Sequence, residues 1–323
     1  MNKAKLYKLT NTLLSLVLAI AALIYLFKLL KNKVEPIDFE QAIALLQTNN
    51  WLLMLVLMLI PVNWAIELKK WRYLLVRHQF LTYWQSVQSI LLGILLSLIT
   101  PNRTGELGGR LLHVKKENRW QVFYINLICS FAQLSTTFFC GLLALIYWRV
   151  ELQHILHINS QWILIISIIG LMLLVYIYIS SKHLLQLLRF LNLKLRTSAE
   201  LVHFSLNDRL HIVVFSFLRY LVFVIQFDIL LMILNPGLIF IDATAMVALI
   251  FILAAIVPTA WISDLPIRTS IAYLVLEQFG FSGLSGLMAS VMLWLINLLI
   301  PALMGFSVLP KVNWLAITKL KKL

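Results

Sequence analysis

Long apolar runs separated by short polar segments make up most of this chain. A transmembrane helix needs roughly 20 apolar residues to cross about 30 Å of hydrocarbon, and a helix satisfies its own backbone polar groups in lipid. The pattern predicts six full spans, at about residues 11–30, 51–68, 120–148, 161–181, 210–234 and 284–309. We therefore predict an all-α polytopic membrane protein with a single transmembrane domain over residues 1–323.

Two further apolar runs stop at a proline that is followed by opposite charges. They read LLSLITPNRTGELGGR (residues 95–110) and ILAAIVPTAWISDLPIR (residues 252–268). In each, an acid and then an arginine follow the proline: Glu106 and Arg110 after Pro101, Asp264 and Arg268 after Pro258. The nearly equal offsets predict an internal repeat with elements at about 83–119 and 242–280. Repeats with interrupted helices are typical of transporter binding sites near the membrane midplane.

Composition agrees with a membrane protein, because 61% of the residues are hydrophobic, 12% are charged and the mean hydropathy is +0.91. The formal net charge is +14. The basic residues form five clusters beside the predicted spans: Lys3, Lys5 and Lys8; Lys69, Lys70, Arg72 and Arg77; Lys115, Lys116 and Arg119; Lys182, Arg189, Lys194 and Arg196; and Lys311, Lys319, Lys321 and Lys322. Lys and Arg near span ends favour the cytoplasmic side. The charge therefore indicates an anionic membrane surface as partner, and not nucleic acid.

The basic cluster at residues 115–119 decides how the first proline-ended run crosses. A complete crossing by residues 83–100 would put this cluster outside, whereas a re-entrant hairpin that turns at residues 101–110 keeps all five clusters inside. By the same reasoning, residues 242–262 and 266–280 form a second hairpin that enters from outside. We thus predict six full spans plus two inverted re-entrant helical hairpins, with cytoplasmic N and C termini.

Eight plain transmembrane helices are the alternative architecture. The lysines between Lys28 and Lys33 oppose the hairpin scheme, because that scheme puts them at the outer end of the first span. Acidic residues follow them at Glu35, Asp38 and Glu40, but acids are weak topological signals. Both architectures stay open at the level of the sequence.

Candidate chemistry lies in the two proline-ended segments. Arginine presents a planar fork that suits phosphate, and ionisable residues inside a membrane are functional-site candidates because their burial is costly. The candidate substrate-binding residues are Arg103, Glu106, Arg110, Asp264 and Arg268. The plainer interpretation is that Glu106 pairs with Arg110 four residues later on one helix and only closes a loop at the membrane surface.

The first segment also resembles a known signature. The order of Pro101, Gly105, Glu106 and Arg110 is similar to the signature of a flippase-like family that includes the transmembrane region of lysylphosphatidylglycerol synthases. Residues 70–75, KWRYLL, resemble that family's Arg-Trp-Arg stretch after the second span. The resemblance covers nearly the whole chain and implies translocation of a lipid or lipid-linked substrate. With the basic cytoplasmic loops, it also implies a bacterial inner-membrane location.

The second segment departs from the family pattern. Arg268 occupies the arginine position of a glycine-rich loop, but the family's glycines are replaced by Ser263, Asp264 and Pro266, and its terminal Glu is Thr269. Asp264 is our candidate for the missing carboxylate, supplied from inside the loop.

The other polar residues of the predicted spans have either a structural interpretation or both a structural and a functional one. Arg219 and Asp228 are nine residues apart, so they face opposite sides of a helix, and each has a structural and a functional interpretation. Asn63 and Glu67, together with Pro61, are attributed to packing and a kink, and Asn126 to helix–helix hydrogen bonding.

Two functions of different classes remain. The first is a lipid translocator, in which Arg103, Arg110 and Arg268 hold a phosphate and the two acids neutralise these arginines when the site is empty. The second is a membrane enzyme or accessory subunit that acts on a polyprenyl-phosphate or glycolipid, with Glu106 or Asp264 as general base. Enzyme motifs are sparse in the sequence, and we predict no metal site and no cofactor.

Overall fold

A computed structural model describes residues 36–100, 105–179, 205–257 and 261–308, together with the single residue Ile24. The predicted span at 11–30 therefore lies outside the described residues, apart from Ile24. The helices are α1 (Pro36–Thr48), α2 (Asn50–Leu75), α3 (Tyr83–Ile99), α4 (Gly105–Arg110), α5 (Arg119–Tyr147), α6 (Arg149–Leu156), α7 (Ser160–Ile179), α8 (Leu206–Leu234), α9 (Phe240–Ile256), α10 (Trp261–Gln278), α11 (Gly283–Trp294) and α12 (Ile300–Phe306). Within these ranges the chain forms helices and no strands.

Within the described residues, four helical segments are long and apolar enough to cross a membrane: Asn50–Leu75, Lys116–Tyr147, Leu206–Leu234 and Gly283–Phe306. They coincide with four of the predicted spans. A fifth crossing is formed if Arg149–Leu156 and Ser160–Tyr176, which are bent by 119° at their junction, act as one. The protein is thus an all-helical, multi-pass membrane protein, whereas the count of six spans plus two hairpins stays a prediction.

The last crossing contains a π-helical segment, Leu295–Leu299, between α11 and α12. Its cause is Pro301, because proline has no N–H to donate to the preceding turn and its ring crowds the carbonyl there. The N–H of Ile300 bonds instead to the carbonyl of Leu295, five residues back. Such wide turns are frequent at functional sites, and this one places the buried Asn297 in the protein interior.

Residues 105–115 lie along α3. An added Cβ at Gly109 would lie 2.1 Å from the backbone nitrogen of Gly93, so α4 and α3 touch through bare backbone. Farther on, the His113 ring lies 3.1 Å from the side-chain oxygen of Gln88, and the Lys115 N–H donates to the Gln79 side chain at 3.0 Å. Residues 105–115 therefore return to the end of α3 at which that helix began.

The close approach of α4 to α3 gives a prediction with a matched control. Replacing Gly109 with alanine should destabilise the protein by about 3 kcal/mol, since overpacking against backbone has no flexible side chain that can move away. Gly108→Ala should be neutral or slightly stabilising, because its nearest neighbour is a Leu96 methyl at 3.8 Å and alanine is the better helix former. Thermal unfolding in detergent measures both; equal effects would contradict this packing.

The second proline-ended segment forms a similar pair of helices. Helix α9 has 17 residues, as does α3, and it contacts α10. One expectation was wrong: Asp264 and Pro266 do not lie in a loop but in helix α10, with Asp264 in its first turn. Helices α3 and α10 also contact each other. The internal repeat itself stays a prediction.

The buried apolar residues in the part of the chain that the structure describes form two clusters. One gathers around α8, α9 and α11, with Phe227 and Met246 at its centre, and the other gathers around α2, α3 and α5, with Trp71 and Ile125. Helices α2 and α8 contribute to both clusters. Along α2, the buried residues Asn63 and Glu67 lie between the parts that enter the two clusters, so polar side chains occupy the boundary.

Arg77, just beyond the end of α2, forms an ion pair with the start of α8. Arg77 donates from Nη1 to Asp208 at 2.6 Å, and Tyr73 donates its hydroxyl to the same carboxylate at 3.0 Å. The hydrogen bond to Asp208 raises the pKa of Arg77. Asp208 also closes a capping box with Ser205, so this contact fixes the beginning of α8.

Candidate functional site

Glu67 is the centre of a buried group of charged side chains. Its Oε1 accepts a hydrogen bond from Arg110 at 2.6 Å, and its Oε2 accepts from Lys70 and from Arg219, each at 2.8 Å. Only 2% of the Glu67 side chain is exposed. Helices α2, α4 and α8 therefore meet at one carboxylate, which we call the Glu67 cluster together with Lys70, Glu106, Arg110 and Arg219.

Arg110 is shared between two acids. Its Nη2 donates to Glu67 and to Glu106, and its Nη1 donates to the Asn126 side chain on α5 at 3.3 Å. Glu106 lies four residues before Arg110 on α4, and its side chain is 37% exposed. The cluster thus extends from a half-exposed acid at its edge to a fully buried carboxylate at its centre.

A chain of amide side chains continues from the cluster. Arg219 donates from Nε to Asn63 at 2.9 Å, and Asn63 donates to Asn297 of the π-helical segment at 3.0 Å. Asn297 donates to Gln226 at 2.9 Å, and Gln226 donates to the backbone carbonyl of Val56 at 2.9 Å. Polar groups buried in this way rigidify a core when each is satisfied, and they link α2, α8 and the last crossing.

Aromatic rings pack against the guanidinium groups of Arg110 and Arg219. The guanidinium of Arg110 lies 5.8 Å from the Trp71 ring centre, and that of Arg219 lies 5.6 Å from Trp64 and 5.4 Å from Phe223. A ring below a guanidinium attracts the charge and leaves its N–H edges free for polar contacts. These rings therefore orient the arginines without using their hydrogen-bond donors.

The Glu67 cluster has more positive charge and more donors than its own acids use. Three cationic and two anionic side chains leave one net positive charge among the described residues. Arg110 Nε and Asn126 Nδ2 are buried and have no hydrogen-bond partner within the described part of the chain. A buried donor without a partner is unfavourable. Both features favour an anionic ligand with several hydrogen-bond acceptor oxygens.

The five residues that the sequence indicated have different environments. Arg103 lies outside the described residues. Glu106 and Arg110 pair in α4 and join the Glu67 cluster. Asp264 and Arg268 pair at 2.9 Å in α10, with the same spacing of four residues, and Trp294 of α11 donates to Asp264 at 3.3 Å. The Asp264 side chain is buried, whereas the Arg268 side chain is 34% exposed.

Sequence reasoning missed the central residue, because it attributed Glu67 to packing. The available signal was that Glu67, Lys70 and the Trp-Arg stretch lie next to each other near the end of a span, where a buried acid needs a cation. Arg219 and Asp228 do face different helices, as their spacing predicted: Arg219 binds α2, and Asp228 accepts from Thr244 of α9 at 2.7 Å.

The family of the chain follows from a comparison with known protein families. A profile of the lysylphosphatidylglycerol synthase TM region matches residues 12–305. The chain therefore belongs to this family of membrane proteins, and membership indicates a function that involves membrane lipids. Among curated proteins, none matches the chain significantly.

Proposed function

We propose that the protein moves a lipid, or a lipid-linked substrate, with a phosphate-bearing headgroup across the membrane. The observation that carries this proposal is the unmet donor capacity of the Glu67 cluster, with the buried Nε of Arg110 foremost. A phosphate supplies the negative charge and the acceptor oxygens that the cluster lacks, and arginine binds it through its planar fork. Membership of a lipid-related membrane family supports the same substrate class.

The headgroup enters, in this proposal, past the half-exposed Glu106 and reaches Arg110. Arg103, Asp264 and Arg268 are the further candidate contacts, with Asp264 neutralising Arg268 when no headgroup is present. The arrangement is less suited to general base catalysis, because Glu106 and Asp264 each accept a hydrogen bond from an arginine of the same helix, whereas a general base must lie within hydrogen-bond reach of the substrate proton. We therefore place translocation ahead of an enzymatic role.

The architecture that we propose retains two inverted re-entrant hairpins, α3 with α4 and α9 with α10. Support comes from the path of residues 105–115 back along α3 and from the short apolar lengths Tyr83–Leu98 and Phe240–Ile256. Non-helical backbone at membrane depth is tolerated where protein or a wet cavity surrounds it. The C-terminal ends of α3 and α9 would then lie near the translocation path.

Cysteine labelling tests the first hairpin. In a background in which Cys129 and Cys140 are replaced by alanine, Lys116→Cys should react with an impermeant maleimide only from the cytoplasmic side. Gly237→Cys is a second test site in an open loop, with no atoms within 4 Å of an added Cβ; the hairpin scheme predicts that it reacts only from outside. Reaction of the Lys116→Cys protein from outside would contradict the hairpin and favour eight plain spans.

The translocation function is tested in liposomes that contain a fluorescent phosphatidylglycerol. The wild-type protein should move the labelled headgroup between leaflets faster than occurs in protein-free liposomes, as measured by quenching of the outer leaflet. A fluorescent diacylglycerol, which lacks the phosphate, is the control for movement that does not depend on the headgroup and for leakage of the liposomes. Equal rates of phosphatidylglycerol movement with and without the protein would contradict a translocator of phosphatidylglycerol.

A further inference from the structure

Glu67 has the environment that a bound phosphate would require. Its two carboxylate oxygens accept hydrogen bonds from Arg110, Lys70 and Arg219. Charge-assisted hydrogen bonds from cationic side chains are also the contacts by which proteins bind phosphate. The Glu67 carboxylate therefore occupies a site whose chemistry also suits an anion from outside the protein.

We propose that Glu67 is an internal substitute for the headgroup phosphate, which holds Arg110 when the site is empty and releases it when an anionic lipid binds. This inference rests on the proposed function, because it presumes that a phosphate-bearing lipid reaches Arg110. It adds a mechanism for binding and release: the lipid and Glu67 compete for one guanidinium.

Competition follows from the way in which Arg110 is used. One of its nitrogens, Nη2, already serves both Glu67 and Glu106, while Nε has no partner in the described part of the chain. A phosphate that takes Nε and Nη2 together gains a fork of two parallel hydrogen bonds. Its negative charge would then lie beside the Glu67 carboxylate in a site of low dielectric, where like charges repel strongly. Glu67 must withdraw for the phosphate to stay.

Lys70 gives Glu67 a partner after that withdrawal. It lies three residues later on the same helix, its ammonium is 2.8 Å from Glu67 Oε2, and 2% of its side chain is exposed. Because both residues belong to α2, their pairing does not depend on the position of α4. The buried carboxylate thus keeps a cation while Arg110 is bound to the lipid, which avoids the high cost of an unpaired buried charge.

The Glu67→Gln variant tests whether Glu67 and the lipid phosphate compete for Arg110. The amide keeps the shape of the side chain but removes its charge, so phosphatidylglycerol should bind the variant about tenfold or more tightly than the wild type and should be moved more slowly, because its release is impaired. Glu106→Gln is the control: it removes the same charge beside the same arginine at a half-exposed position, where screening limits the change to about threefold. Titration in detergent micelles measures affinity, with diacylglycerol as the lipid without phosphate.

Each outcome bears on the inference. Tighter binding by Glu67→Gln than by both the wild type and Glu106→Gln would support it. Selective binding of phosphatidylglycerol by the wild type, with equal or weaker binding by Glu67→Gln, would overturn this inference and leave the proposed function standing. No preference for phosphatidylglycerol over diacylglycerol in the wild type would overturn a phosphate site and this inference with it.

A second variant covers the case in which Glu67→Gln does not fold. Glu67→Gln combined with Lys70→Met removes one charge of each sign and so keeps the net charge of the cluster. It should bind phosphatidylglycerol at least as tightly as the wild type, because Arg110 and Arg219 have no competing carboxylate at position 67. Binding tenfold weaker than that of the wild type would overturn the inference.

Discussion

Replacing Arg110 with alanine should slow the movement of a phosphate-bearing headgroup by about tenfold to a hundredfold. A hydrogen bond to a charged group contributes about 1.5–3 kcal/mol, and each 1.4 kcal/mol is a factor of ten. Arg110 is the residue on which the account depends most, because its guanidinium joins the half-exposed Glu106 to the buried Glu67. The liposome assay with fluorescent phosphatidylglycerol measures the rate.

Arg77→Ala is the matched control for this loss of a positive charge. Arg77 pairs with Asp208, its side chain is 46% exposed, and its partners Tyr73 and Asp208 are outside the Glu67 cluster. Headgroup movement by this variant should stay within about twofold of the wild type, because Asp208 keeps the hydrogen bonds from Tyr73 and Ser205. Unchanged movement by Arg110→Ala, or an equal loss in both variants, would contradict a specific role for Arg110.

Arg268→Ala tests whether the second motif serves the same path. The repeat predicts that this variant also slows headgroup movement, because Arg268 is the counterpart of Arg110. Its ion pair with Asp264 leaves the side chain 34% exposed, so the arginine is accessible to a ligand. A full rate for Arg268→Ala with a slow rate for Arg110→Ala would restrict the site to the first motif.

Replacing Glu67 with leucine should destabilise the protein by about 3–5 kcal/mol. Removing one partner of a buried ion pair leaves the other charges uncompensated, and here Arg110 and Lys70, each at most 6% exposed in the side chain, lose their shared acid. Unfolding by a denaturing detergent, followed by circular dichroism, measures the change.

Two comparisons make the Glu67 prediction specific. Glu106→Leu removes an acid from the same Arg110, but at a half-exposed position, and should cost about 1 kcal/mol or less. Adding Lys70→Met to Glu67→Leu restores the net charge of the cluster and should recover part of the lost stability, because neighbouring charges couple. A loss for Glu67→Leu no larger than that for Glu106→Leu would show that the buried network contributes little.

Much of the fold could be predicted from the lengths of the apolar runs. Four predicted spans coincide with helices that can cross a membrane, because a helix in lipid must satisfy its own backbone and its length is set by the hydrocarbon. The return of residues 105–115 along α3 agrees with the glycines of that segment, which allow backbone to approach backbone. The number of crossings could not be predicted from these lengths, because short proline-ended helices are compatible both with re-entrant hairpins and with eight plain spans.

The candidate site was less predictable, because its centre depends on contacts between distant residues. The pair of Glu106 and Arg110 follows from their spacing of four on a helix. Glu67 contacts Arg110 at a separation of 43 residues and Arg219 at 152, and no local pattern reports such contacts. A buried acid in a span nevertheless requires a cation, so Glu67 should have been assigned to an ion pair.

The second motif has a different local structure from the one that its sequence indicated. Pro266 was interpreted as part of a loop, yet it lies inside α10 as the sixth residue of that helix, where proline removes one intrahelical hydrogen bond and crowds the preceding turn. Asp264 and Arg268 consequently share one helix face and pair in the same way as Glu106 and Arg110. What the two motifs have in common is therefore an acid followed by an arginine one helical turn later.

The most direct test of the central claim is native mass spectrometry of the gently solubilised protein, with the wild type compared with an Arg110→Ala, Arg268→Ala double variant. The account predicts that a phosphate-bearing lipid copurifies with the wild type and is lost from the variant, while other bound lipids are retained. Equal lipid profiles in the two proteins would contradict the claim, and would show that these arginines stabilise the fold without binding a headgroup.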